Sequence, residues 1–169
     1  TSSMKKAYKK YLTKSVSGKK YYKVVNIGDR NKPVLLIGTY KGFGKGTYTG
    51  CNVYYYKSGK VRKVGSLSDG RDIALYTKKG QNYINSGLSD EALYLCVKDG
   101  KSYLCAYYSH NWKIDPDDKY EKCVIKKGGK VIKNYGYMDS RQYNTAKNSY
   151  RYKSTVKFVK NTRANRKRI

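Results

Sequence analysis

The stretch "VYYYKSGKVRKVGSL", residues 53–67, decides the fold. Aromatic and β-branched residues run up to Lys57, the polar pair Ser58–Gly59 interrupts them, and alternation resumes at Val61. A glycine after a polar residue supplies the positive φ that a two-residue hairpin turn requires. The same punctuation returns in "KKGQ" (78–81), "KDGK" (98–101) and "KGGK" (127–130), each between runs such as "DIALYTK", "EALYLCVK", "KSYLCAYY" and "KVIKNYGYM". Runs of this kind read as strands. The expected fold is therefore mainly β, an antiparallel hairpin meander over about 20–138 folded as a sandwich or curled sheet. Gly59, Gly80 and Gly100 lie 21 and 20 residues apart, then 29 residues pass before Gly129. That spacing is too irregular and too short for a complete propeller.

Upstream, "SSMKKAYKKYLTK" starts with N-cap residues and places Met4, Ala7, Tyr8, Tyr11 and Leu12 at helical spacing, with lysines on the other face. A short amphipathic helix over about 3–14 is expected to pack on the sheet. Downstream, Asp139 or Ser140 caps a short helix or begins an irregular crossover, and a last strand follows near 150–159. These segments make a single domain, 1–160. The remainder, "NTRANRKRI", lacks periodicity and is expected to be a basic flexible tail carrying Arg163, Arg166, Lys167 and Arg168.

Lys and Arg number 38 against 11 Asp and Glu, a formal charge of +27. Thirty of the 38 are Lys. Lys is a hydrated point charge, whereas Arg carries the planar fork of specific base and phosphate recognition, so the surface suits diffuse attraction to polyanions. Tyrosine is the second anomaly, 21 against 2 Phe and 1 Trp. Its ring and wet hydroxyl fit half-exposed strand faces and contact surfaces. No apolar run approaches the ~20 residues that span a bilayer. The beginning, "TSSMKKAYKKYL", has no signal-peptide core, which fits either a cytosolic protein or a mature chain whose leader has been removed.

Four cysteines, Cys51, Cys96, Cys105 and Cys123, permit two disulfides in three connectivities. In a hairpin turning at Asp99–Gly100, Cys96 faces Tyr103 and Cys105 faces Tyr94, so the two thiols share a face diagonally and are candidates for a bridge. With no CxxC and one histidine, neither a metal site nor a cofactor is expected. There is no nucleophile motif, P-loop, HExxH or dinucleotide fingerprint, and most of the few acids should be ion-paired, so a non-enzymatic role is expected. The stretch "CAYYSHNWK" (105–113) gathers Tyr107, Tyr108, His110, Asn111 and Trp112. Two readings stand for it: an exposed aromatic cluster that stacks on sugar rings or anchors a protein, or a Trp112 core plug beside a satisfied loop histidine.

The stretch "VVNIGDRNKPVLLIGTY" (24–40) has the length and punctuation of a calcium loop with a single carboxylate, Asp29. Arg30 and Lys32 are electrostatically wrong for a cation site. "KKAYKKYLTK", this stretch and "VYYYKSGKVRKVGSL" together resemble a β-rich domain of secreted and surface proteins of gut Firmicutes, of the clostridial kind. There an AYKKYL-type helix precedes a strand with a D-I-N-x-D-G-I-P-E-L-L pattern. Asn26 stands at the first Asp of that pattern, Gly28 at the Asn, Arg30 at the second Asp and Asn31 at the Gly. Pro33 keeps the Pro, Val34 replaces the Glu, and Leu35 and Leu36 keep the two Leu. The likeness covers about residues 4–67, and the metal-facing positions have departed, so an inherited calcium site is not expected. It implies an exported, non-enzymatic surface or adhesive module, and the Lys-rich and Tyr-rich surface is then expected to hold an anionic polymer, a glycan or a host protein. Two alternatives use the same residues: a nucleic-acid-binding protein on the basic surface, and a secreted effector or inhibitor presenting loop 105–113 to a protein.

Overall fold

A computed structural model describes residues 2–29, 32–68, 70–86, 91–110, 121–127 and 130–169, and for Glu91, 103–110, 121–127 and Tyr137 the backbone path alone. The chain is mainly β, in two antiparallel sheets. It opens with helix α1 (Ser2–Lys14), followed by β1 (Tyr21–Val25), β2 (Val34–Lys41), β3 (Tyr48–Lys57) and β4 (Lys60–Ser68). These four strands form a meander. A second meander runs through β5 (Ala74–Lys78), β6 (Gln81–Ser86), β7 (Glu91–Lys98), β8 (Lys101–His110), β9 (Glu121–Lys127) and β10 (Lys130–Met138). Helix α2 (Ser140–Asn148), strands β11 (Arg151–Thr155) and β12 (Val159–Lys160), and helix α3 (Arg163–Arg166) complete the chain. The sheet orders are β12-β1-β2-β3-β4 and β10-β9-β8-β7-β6-β5-β11.

The hairpin turns form for the reason the sequence suggests. Ser58, Lys79 and Asp99 have φ of 51°, 48° and 52°, and each following glycine is also at positive φ. Two left-handed residues in succession match the right-handed twist of the flanking strands.

Side-chain alternation divides each sheet into two faces. Val34, Leu36, Cys51, Val53 and Tyr55 of the five-stranded sheet meet Ile84, Leu95 and Val97 of the seven-stranded one in the central core. On the outer face of the first sheet, Tyr22, Leu35 and Ile37 receive Met4, Tyr8 and Leu12 of α1. On the outer face of the second, Ala92 and Tyr94 pack with Tyr143 of α2 and with Tyr150. The sandwich is thus covered by a helix on each side. β2 is buried on both faces over residues 34–38, which is why "VLLIG" reads as a continuous apolar run.

The expected last strand divides in two. β11 joins the edge of the second sheet beside β5, and β12 joins the first beside β1. Between them Val156 and Phe158 cross the central core. The expected crossover helix is present and carries a capping box: Asp139 Oδ1 accepts from Gln142 N at 2.7 Å, and Gln142 Oε1 accepts from Asp139 N at 3.0 Å.

Two expectations need correction. Residues 161–169 are not a flexible tail: Asn161 is 4% exposed, α3 is helical, and Ile169 packs with the α1 cluster. Nor is a disulfide found among the described residues, where Cys51 and Cys96 are both buried. Cys96 does face Tyr103, but the register shifts between Leu95↔Leu104 and Tyr94↔Ala106, which leaves Cys105 in a bulge without a cross-strand partner. Cys51 lies in the central core, whereas Cys96 alternates with Leu95 and Val97 and so turns away from it. The side chains of Cys105 and Cys123 lie outside the described residues.

Candidate functional site

The acids of this chain are distributed unevenly. Residues 1–28 and 140–169 contain no Asp or Glu, and neither does any strand of the five-stranded sheet. The β1–β12 pair and the packing of Ile169 against α1 bring these two terminal segments together. α1, α3 and the sheet beneath them thus form a layer built without a carboxylate side chain.

α1 is fixed by its apolar stripe. Tyr8 is fully buried; its hydroxyl donates to Pro33 O at 2.8 Å and accepts from Tyr56 N at 3.2 Å. With Met4, Tyr8 and Leu12 turned inward, Lys5, Lys6, Lys9, Lys10 and Lys14 are left at the surface. The helix C-terminus is tied to the end of the chain through Asn161, whose Nδ2 donates to Leu12 O (2.8 Å), Val16 O (3.2 Å) and Ser17 O (3.3 Å). Arg166 in turn donates to Asn161 Oδ1 at 2.8 Å and Asn161 O at 3.3 Å. Thr162 caps α3 by accepting from Asn165 N at 3.2 Å. Burial raises the Tyr22 hydroxyl pKa, and the charges of Arg166 and Arg168 beside it oppose that rise. The four tail cations named from the sequence, Arg163, Arg166, Lys167 and Arg168, therefore stand on an ordered scaffold tied to the C-terminal end of α1.

A groove of about 220 Å³ lies on this face between α1 and the β3–β4 turn, lined by Ala7, Lys10, Tyr11, Lys14, Ser15, Gly59 and Val61. The Tyr11 ring rests against Tyr54 with centroids 5.1 Å apart. Its hydroxyl is pushed up to about 12, by burial first and then by the Tyr54 hydroxyl. Lysines with no carboxylate in their own layer attract anions of any chemistry, and an ordered backbone keeps them from dispersing.

The stretch 105–113 is not part of this face as far as it is described. On β8, Tyr107 pairs with Leu93 and Val124, Tyr108 with Ala92 and Cys123, and His110 with Glu121. Asn111 and Trp112 lie outside the described residues. The Lys-rich face of α1 and the ring of Tyr11 were not singled out as a site from the sequence, although the acid-free terminal segments were there to be counted. Among the described residues no group of three or more His, Cys, Asp or Glu is placed to hold a metal ion, and no helix is long and apolar enough to cross a membrane. No protein-family model, no curated protein and no solved structure matches the chain.

Proposed function

We propose that this chain is a non-enzymatic binding module, exported or carried on the cell surface, that holds an anionic polymer, glycan or acidic host protein on its α1–α3 face. The observation that carries the reading is the carboxylate-free layer, in which the Lys-rich helix α1 packs with the ordered segment that bears Arg163, Arg166, Lys167 and Arg168. The likeness of residues 4–67 to secreted clostridial domains supports the exported setting. Diffuse lysine charge favours a chain of repeated anions over a single small ligand, because counterion release grows with each anion neutralised.

Titration of the protein with inorganic polyphosphate and with dextran sulfate over a range of salt tests this. Lys6→Glu/Lys10→Glu should weaken both by tenfold or more and reduce the slope of log K against log salt by about one per lysine. Lys130→Glu/Lys133→Glu, on β10 of the other sheet, should alter binding far less. Equal losses from the two pairs would mean that overall charge, not this face, does the binding.

A nucleic-acid strand is the second reading, favoured by the Tyr11 ring between Lys10 and Lys14. It requires tighter, length-dependent binding of single-stranded DNA than of polyphosphate at equal charge, with tyrosine quenching that Tyr11→Leu abolishes.

A further inference from the structure

A second cleft, remote in character from the basic face, lies on the outer surface of the seven-stranded sheet. Its volume is about 270 Å³, just under the roughly 300–1,000 Å³ of ordinary ligand pockets, so it admits one ring rather than a chain. The small side chains of Ala74 and Ala92 leave the space. The floor is rigid, because Tyr94 is stacked on Tyr150 with centroids 3.7 Å apart and planes 8° from parallel. Tyr76 stands edge-on to both Tyr94 and Tyr152, at 5.6 and 5.8 Å.

Two exposed rings frame the mouth. Tyr152 is 59% exposed, and its hydroxyl shares a hydrogen bond of 3.0 Å with Thr155 Oγ1. Phe43 is 91% exposed, yet its loop is pinned, since Phe43 N donates to Asp72 Oδ1 at 3.0 Å. Exposed rings held in place have no role in the core and present apolar faces to a ligand. Around them stand polar groups of complementary kinds: the Asp72 carboxylate, the Asn85 amide, and the cations Arg71 and Lys147. Two cations against one carboxylate leave the described lining with a net positive charge.

We infer that this cleft binds a single pyranose ring bearing a carboxylate, a uronic acid unit. The apolar C–H face of such a sugar lies on Tyr152 and Phe43. Its hydroxyls meet Asp72 and Asn85, and its carboxylate meets Arg71 and Lys147. A flat aromatic ligand fits less well, because it has few hydroxyls to satisfy that polar rim. The inference stands apart from the α1–α3 face and does not need it.

The probes are methyl β-glucuronoside and methyl β-glucoside, followed by titration calorimetry and saturation-transfer NMR on the full chain. The glucuronoside should bind saturably and more tightly than the glucoside. Tyr152→Ala, at an exposed position, should lower its affinity about tenfold. Arg71→Gln should remove the preference for the acidic sugar while leaving the glucoside unchanged. Lys6→Glu/Lys10→Glu should change neither, which separates this site from polymer binding on the other face. Absence of saturable binding by both sugars, wild-type affinity in Tyr152→Ala, or equal competition by a nucleoside would each overturn the inference.

Discussion

Asp29 joins the two sheets through one carboxylate oxygen. Its Oδ2 accepts from the backbone N–H of Asp99, in the β7–β8 turn, at 3.2 Å and from the Tyr55 hydroxyl of β3 at 3.3 Å. Beside it the backbone of the loop lies directly on β7: Val97 N donates to Ile27 O at 2.8 Å, and a Cβ on Gly28, whose φ is +152°, would stand 1.8 Å from Val97 O. The stretch that has the outline of a calcium loop is thus a clasp between sheets, made from a carboxylate and a glycine. Asp29→Ala should cost about 0.5–1.5 kcal/mol, the net worth of a hydrogen bond whose donors water can still reach. The measurement is a lowered urea midpoint at unchanged m-value, the same with and without calcium. Calcium stabilisation of the parent that disappears in the variant would restore the metal reading. The loop itself was legible from its turn residues, but its partners lie 26 and 70 positions away, beyond any local pattern.

Among the elements, those whose geometry is settled within a few residues follow the sequence closely. The hairpin turns need only two successive left-handed residues, and α1 needs only its apolar stripe. The terminal segment departs because its order comes from a distant helix. Asn161 is 149 positions from Leu12, whose carbonyl it meets, and "NTRANRKRI" has no stripe to advertise that contact. Asn161→Ala should remove three carbonyl contacts and a partner of Arg166, for a cost of about 1–3 kcal/mol. Hydrogen exchange should then quicken in α3 and at the C-terminal end of α1 while β5–β7 keep their protection. Unchanged protection in α3 would show that Thr162 and Ile169 suffice to hold it. The β7–β8 pairing was legible near its turn, where Cys96 faces Tyr103, but the one-residue register shift between Leu95↔Leu104 and Tyr94↔Ala106 was not, because no local pattern marks that bulge.

For the whole molecule, charge and burial act in opposite places, with cations on the surface and hydroxyls and thiols held neutral inside. Burial pushes the Cys51 thiol up to about 12 and the Tyr8 hydroxyl upward as well, the latter opposed in part by the hydrogen bond from Tyr56 N. The unfolded chain releases such protons near the ordinary values of about 8.5 and 10, while the folded chain retains them to higher pH. Their contribution to stability is therefore complete below the unfolded values and is lost as pH rises toward the folded ones. Urea midpoints should fall between pH 9 and 11, and less steeply in Tyr8→Phe than in the parent; identical slopes would remove Tyr8 from the account. The β class, the hairpin turns, the amphipathic first helix and the excess of cations can be read along the chain, since each is written in a local period or a plain count. Which sheet each late strand joins, the docking of the basic end and the packing of the acid-free segments on one another emerge only on folding. Those outcomes depend on pairing and burial between residues far apart in the chain, where contact energy rather than local conformational preference makes the choice.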